Sequence, residues 1–94
     1  MIDFTLAQNI AGKYIDQMQL EINASLKIVK VIEKSFGWIF FYQSTEYVES
    51  NDFRKMLAGN APFVIDVEDG RLQVFGTADP IDVYIKQYEV GRGK

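Results

Sequence analysis

Three carboxylates stand close together in the second half of the chain, and groups of carboxylates can carry out chemistry. Asp66, Glu68 and Asp69 all precede Gly70 within a few residues. Carboxylate pairs act as acid and base in glycosidases, and carboxylate clusters hold hard metal ions. The spacing does not fit a calcium-binding loop, because its first ligand position falls on Ile65. We therefore expect an acidic turn whose side chains point into water, with neither a metal nor a cofactor.

The aromatic run that begins at Lys34 approximates an RNA-binding signature, in which a basic residue is followed by glycine and aromatic positions. Aromatic side chains on an exposed strand can stack on bases. Three features oppose this function: Ser35 replaces a glycine, the chain is acidic, and the order of elements differs from that fold. Residues 38–43 are therefore expected to fill a central strand, and an RNA-binding module is the least favoured function.

Two residue types are missing, and their absence narrows the chemistry further. The 94 residues include neither histidine nor cysteine. A serine or threonine nucleophile would lack its commonest base, and no disulfide or zinc-thiolate site can form. We therefore expect a protein that is not an enzyme.

Charge is unevenly distributed along the chain. The formal net charge is −3, and residues 44–84 carry eight acids against three bases. This balance disfavours nucleic acid as a partner and suits a basic protein. The sequence shows neither a basic-then-apolar leader nor an apolar run of membrane-spanning length, so we expect a cytoplasmic protein that does not associate with membranes.

Periodicity predicts a helix near each end and four strands between them. Residues 3–18 repeat apolar positions every four residues, with either Thr5 or Asp3 as the N-cap. The pair Asp79-Pro80 is a helix start signal, and Gly91 is expected to end that helix before a basic tail. Strands are expected at 26–33, 38–43, 63–68 and 71–75. The parity of the first strand is broken, which indicates either a bulge or two covered faces.

The last two strands are predicted to form a hairpin with Asp69-Gly70 as a two-residue loop, so that Ile65 faces Val74 and Val64 faces Phe75. Short connections favour antiparallel pairing. The predicted fold class is α+β, an antiparallel sheet of about four strands with the N-terminal and C-terminal helices packed on one face. The other hairpin face would then be a mixed apolar and charged surface suited to a partner.

Several short motifs together resemble one protein family. They are the run 57–62 before the hairpin, the run 76–80 after it, and the aromatic strand 37–44. In this combination the chain is similar to the immunity protein 35 family. The resemblance implies a single immunity-protein-like domain over 1–94 that binds and neutralises a cognate bacterial toxin in the producing cell. The residues shared with the family suit turns, a core aromatic and a helix start rather than toxin contacts: Gly37, Trp38, Gly59, Asn60, Pro62, Gly76, Thr77 and Pro80.

The expected contacts with a basic toxin lie in the polar segment 44–60 and on the outer hairpin face. The partner-binding candidates are Glu46, Tyr47, Glu49, Asp52, Val64, Asp66, Gln73 and Phe75. Within the polar segment, Phe53 and Leu57 stand four apart, as they would in one or two helical turns. A stress-related accessory or chaperone-like protein that uses an apolar sheet face stays open as an alternative, as does a homodimer through the outer sheet face.

Overall fold

The computed structural model describes residues 1–57 and 60–92, and its elements follow the predicted order. These elements are α1 (Phe4–Ile22), β1 (Leu26–Lys34), β2 (Gly37–Ser44), α2 (Thr45–Ser50), a 3₁₀ helix (Phe53–Lys55), β3 (Phe63–Asp66), β4 (Leu72–Val74) and α3 (Ile81–Arg92). The strands form one antiparallel sheet in the order β1-β2-β3-β4. The α+β class, with four strands and a helix at each end of the order, is therefore confirmed.

Helix α1 begins and ends with side-chain and backbone caps that the sequence supplies. The carboxylate of Asp3 accepts a hydrogen bond from the Leu6 N–H at 2.9 Å, so Asp3 rather than Thr5 is the N-cap. The helix continues one turn past the predicted end at residue 18. It stops where Asn23 adopts a left-handed conformation with φ of 53° and donates its N–H to the Gln19 carbonyl.

The two long helices lie on opposite faces of the sheet, so the prediction that they share one face is wrong. Alternate residues of β2 point to opposite sides: Phe40 packs with Ala11 of α1, whereas Ile39 packs with Ile85 of α3. In β3, Ile65 belongs to the α1 side in the same way. Strands that are apolar on both faces need a cover on both faces, and one helix covers each side. The protein therefore has three layers, with the sheet in the middle.

The β3–β4 hairpin has a longer loop than predicted. Ile65 pairs with Leu72 instead of Val74, and the strands are joined by residues 67–71. Both acceptors of Asp66 favour this loop, because its carboxylate accepts from the Glu68 N–H at 2.9 Å and its backbone carbonyl accepts from the Gly70 N–H. The register differs from the prediction by two residues, so each side chain keeps its face of the sheet.

The β1–β2 hairpin contains the irregularity that the broken parity of β1 indicated. A bulge lies between Ile28 and Lys30, which decides between the two alternatives left by the sequence. At the other end of this hairpin, Gly37 has φ of 149°, and a Cβ there would clash with the Ile65 carbonyl oxygen. β1 and β2 have nine and eight residues, whereas β3 and β4 have four and three. The longer hairpin therefore extends past the short strands, and α2 packs on this extension.

Candidate partner-binding surfaces

The predicted partner residues fall into two groups that the structure does not bring together. Glu46, Tyr47, Glu49 and Asp52 lie on α2 and just after it, at the extension of the β1–β2 hairpin. The other group lies on the β3–β4 hairpin, at the opposite edge of the sheet: Val64, Asp66, Gln73 and Phe75. One continuous binding face made of all eight residues is therefore absent from the described part of the chain.

The α2 group is held on the sheet by polar side chains at the end of β2. The Ser44 hydroxyl accepts from the Tyr47 N–H at 3.0 Å, which caps α2, and donates to the Lys55 carbonyl at 2.6 Å. The Asn60 amide donates to the Tyr42 carbonyl at 2.7 Å, and Gln43 accepts from the Leu57 N–H. These bonds fix both ends of the segment, so its outward side chains are presented from a defined backbone.

An exposed aromatic residue in this segment was missed by the sequence reasoning. Phe53, in the 3₁₀ helix, leaves 78% of its surface exposed, and Val48 and Met56 are also exposed. The four-residue spacing of Phe53 and Leu57 suggested a helix with a buried face, but the helix has only three residues. The available signal was an aromatic residue inside an acidic, aperiodic run. Exposed aromatics are enriched where proteins bind partners.

The acids of the α2 group are partly neutralised by their neighbours. Lys55 approaches Glu46 at 3.4 Å, and Arg54 contacts Asp52 at 2.9 Å. Hydrogen bonds from Arg54 lower the pKa of the Asp52 carboxyl below its usual value. Among the described residues, Glu49 has no basic group within ion-pair distance. The segment is therefore a mixed surface with a small acidic surplus.

A shallow groove of about 380 Å³ lies between α2 and the bulge of β1. Its walls are Val29 and Phe41 from the sheet and Tyr47 and Val48 from α2, and Lys30 lies over the Phe41 ring at 5.7 Å. This groove places Tyr47 where a partner side chain can reach it. Phe53 and this groove together supply apolar contacts next to the acids of the α2 group.

On the β3–β4 hairpin, three of the four candidates are buried, so the predicted exposure of that face is wrong. Val64, Asp66 and Phe75 lie under α3, packed against or bonded to Tyr88, and only Gln73 is exposed. The physical reason is the position of α3, which covers the face that the prediction left open. A partner cannot contact the three buried side chains in this conformation.

Asp66 does not point into water as predicted; it is fully buried and anchors α3. Its carboxylate accepts two hydrogen bonds from Arg92, at 2.7 and 2.9 Å, and one from the Tyr88 hydroxyl. The Glu68 N–H donates to it at 2.9 Å, and Arg71 approaches at 3.3 Å. The bonds from Arg92 lower the pKa of the Asp66 carboxyl far below its usual range and outweigh the opposing effect of burial. Burial, followed by the bond to Asp66, raises the pKa of Tyr88.

This carboxylate network is saturated by its own partners, which favours a structural role over catalysis.

No group of three or more acidic side chains in residues 1–57 and 60–92 is arranged to hold a metal ion. None of the helices in these two stretches has the length and apolar character needed to cross a membrane. Gly59, a candidate turn residue, lies outside the described residues.

The fold and its surfaces define a small α+β protein with a four-stranded sheet between two helices. The family model described as Immunity protein 35 matches residues 6–89. The chain therefore belongs to the immunity protein 35 family, as its motifs predicted. It is also 36% identical over 92 residues to the Escherichia coli (strain K12) protein named "Uncharacterized protein YrhB", a match that covers 96% of this chain and 92% of that protein. No solved structure is significantly similar to the chain.

Proposed function

We propose that this protein is a bacterial immunity protein that binds and neutralises a cognate toxin of a polymorphic toxin system in the cytoplasm of the producing cell. The observation that carries the proposal is the family match over residues 6–89. Neutralisation of this kind needs a binding surface rather than a catalytic site, so we propose that the protein is not an enzyme. In this proposal residues 1–94 act as one immunity-protein-like domain, without a cofactor.

The toxin-binding surface in this proposal is the segment from α2 to the 3₁₀ helix, centred on Phe53. Its support is the combination of an exposed aromatic in the 3₁₀ helix, an apolar groove lined by α2 and acids on a firmly anchored backbone. Buried aromatic anchors contribute most of the binding free energy at protein interfaces, and surrounding charges act mainly on the association rate. Acids such as Glu49 suit a basic toxin. Tyr47 lines the groove and adds a second aromatic contact.

The test is the open reading frame next to the gene for this protein. We expect its product to arrest growth when expressed alone, and co-expression of this protein to restore growth through a complex that can be purified. Phe53→Ala should weaken the complex at least tenfold. A matched control is Val90→Ala on α3, where an apolar residue is also exposed, by 57%, and should have no effect. Absence of both growth arrest and a complex would refute toxin neutralisation, whereas equal effects of the two substitutions would move the interface elsewhere.

The alternative functions lose the surface on which they depended. A chaperone-like activity and a homodimer were both expected to use an open apolar sheet face. Helix α3 buries Val64 and Phe75 on that face. We therefore propose neither of them.

A further inference from the structure

Strand β4 is an edge of the sheet, and its outer side carries unpaired backbone groups. The Asp66 N–H bonds to the Arg71 carbonyl, and the Phe75 N–H bonds to the Pro62 carbonyl. Hydrogen bonding alternates along an antiparallel strand, so the backbone N–H and C=O groups of Gln73 also face β3. The N–H and C=O groups of Leu72 and Val74 therefore face outward. Within the described part of the chain, no strand pairs with that side.

The two edges of the sheet differ in their protection. The other edge, β1, carries Lys27, Lys30 and Lys34 together with a bulge, and these features discourage strand addition. Strand β4 reads Leu-Gln-Val, with no charge and no bulge, and Val74 is 47% exposed. The length of β4, three residues, limits how long an added strand can be, but β4 lacks the charges and the bulge of β1 and is therefore the edge to which a short strand can pair.

A groove runs beside this edge, between β4 and α3. It has a volume of about 510 Å³ and is lined by residues 71 and 73–76, in and beside β4, and by one face of α3. Gln73 and Gln87 lie on its two sides, and Phe75 and Tyr84 stack at one end with ring centroids 6.2 Å apart. An added strand would turn every second side chain toward this groove, because side chains alternate along a strand.

The charged residues that line the groove are both arginines, although the protein as a whole is acidic. They are Arg71 and Arg92, and no acid of the described residues lines the groove. Arg92 is already engaged with Asp66 through two short hydrogen bonds. Arg71 reaches Asp66 only at 3.3 Å and Asp69 at 3.5 Å, and half of its side chain is exposed. Arg71 therefore retains donors for a carboxylate placed in the groove.

We propose that β4 and this groove bind an extended acidic segment of a partner protein, which adds a fifth strand to the sheet and places an Asp or Glu side chain against Arg71. Main-chain bonds to Leu72 and Val74 supply affinity in this mode, and the groove supplies selectivity. A second copy of this chain fits less well. If two copies paired antiparallel with Leu72 of one opposite Val74 of the other, Arg71 of each copy would face Phe75 of the other. Residues 71–76 contain no acid, so the second copy would offer Arg71 no carboxylate. The proposal is independent of toxin neutralisation.

The first experiment tests the edge itself, by amide hydrogen exchange of the full chain followed by NMR. The Leu72 and Val74 amides should exchange quickly while the Gln73 amide is protected, at low and high protein concentration alike. Protection of the outward amides that grows with protein concentration would mean that a second copy occupies the edge, and it would overturn the proposal.

The second experiment is an NMR titration with a five-residue peptide, acetylated and amidated, that has glutamate at its centre and valine and threonine around it. The peptide should shift and protect the Leu72 and Val74 amides. A matched peptide with glutamine at the centre should bind about threefold more weakly, as an exposed ion pair would require. Arg71→Gln should abolish this difference, whereas Arg54→Gln, at an exposed arginine outside the groove, should leave it unchanged.

A proline at the edge supplies a test that does not depend on charge. Val74→Pro removes an outward N–H that the fold does not use, and proline is tolerated on edge strands. It should abolish peptide binding with little change in thermal stability, whereas Val74→Thr, which keeps the N–H, should bind normally. The proposal would be overturned if the peptide still bound to Val74→Pro. It would also be overturned if the two peptides bound wild type equally well, or if the peptide left the Leu72 and Val74 amides unshifted.

Discussion

Removing one hydroxyl tests whether the buried carboxylate network holds α3 on the sheet. Tyr88→Phe keeps the ring that packs in the α3-side core and deletes only the hydrogen bond to Asp66. A hydrogen bond to a charged group contributes about 1.5–3 kcal/mol. Because Asp66 keeps its bonds from Arg92 and from the Glu68 N–H, we expect the lower end, about 1.5–2 kcal/mol. This loss is large beside the roughly 5–15 kcal/mol of a typical domain.

The same substitution should have a characteristic pH dependence. The folded-state pKa of Asp66 lies below its unfolded value, and the Tyr88 hydroxyl is one cause. A carboxyl with a lowered folded pKa contributes stability above its unfolded pKa of about 4 and loses that contribution as the pH falls further. The unfolded pKa is the same for both proteins, so the difference in unfolding free energy between wild type and Tyr88→Phe depends only on their folded pKa values. It should therefore be constant from neutral pH down to about pH 4 and shrink only as the pH falls further, through the folded pKa of Asp66 in the variant.

Urea unfolding from pH 7 to pH 2 measures the loss of unfolding free energy in Tyr88→Phe and the change of that loss with pH. The matched control is Tyr84→Phe, since the Tyr84 hydroxyl accepts a hydrogen bond from the uncharged Asp79 N–H at 3.2 Å. It should cost less, about 0.5–1 kcal/mol, without a change between pH 7 and pH 2. Equal losses for the two tyrosines at pH 7, or a Tyr88→Phe loss that grows as the pH falls, would refute a charged Asp66 as the anchor of α3.

Three further outcomes follow from the core, the sheet and the charged surface. Trp38→Ala should destabilise by about 3–5 kcal/mol in urea or thermal unfolding, because the side chain is buried against α1; a change under about 1 kcal/mol would place it at the surface. Gly37→Ala should cost more than about 2 kcal/mol in the same assay, since the new Cβ would meet a backbone oxygen, and a neutral effect would contradict the close strand approach. Reversing Glu46 and Glu49 to lysine should slow association with the toxin and flatten its salt dependence in stopped-flow measurements at two salt concentrations, with stability nearly unchanged. Unaltered rates would place the interface away from α2.

Local signals in the sequence were sufficient for the order and type of the elements. The four-residue stripe from Leu6 to Met18 predicted α1, and the pair Asp79-Pro80 stands immediately before the first residue of α3. The broken parity of the apolar residues in β1 indicated either a bulge or two covered faces, and the structure shows the bulge. These features depend on neighbours within a few residues, which a sequence pattern contains.

Features that depend on distant residues were not predicted. Asp66 looked like part of an acidic turn because the groups that bury it, Tyr88 and Arg92, lie 22 and 26 residues away. Arg92 looked like part of a frayed tail for the same reason. The side of the sheet that α3 covers is likewise decided by tertiary packing, and the exposure predicted for Val64 and Phe75 failed with it. At the candidate site, acidity was visible in the sequence, but the exposure of Phe53 was not.

The placement of α1 and α3 on opposite faces has a consequence for biosynthesis. Synthesis proceeds from the N-terminus, so α3 is the last of these elements to be made. Helix α1 is complete before any strand appears, so its side of the sheet can be covered as soon as β2 and β3 pair. The other face, with Ile39, Val64 and Phe75, stays open until α3 has emerged and Arg92 has reached Asp66. During that interval the nascent chain exposes an apolar strand surface of the kind that chaperones and aggregation compete for.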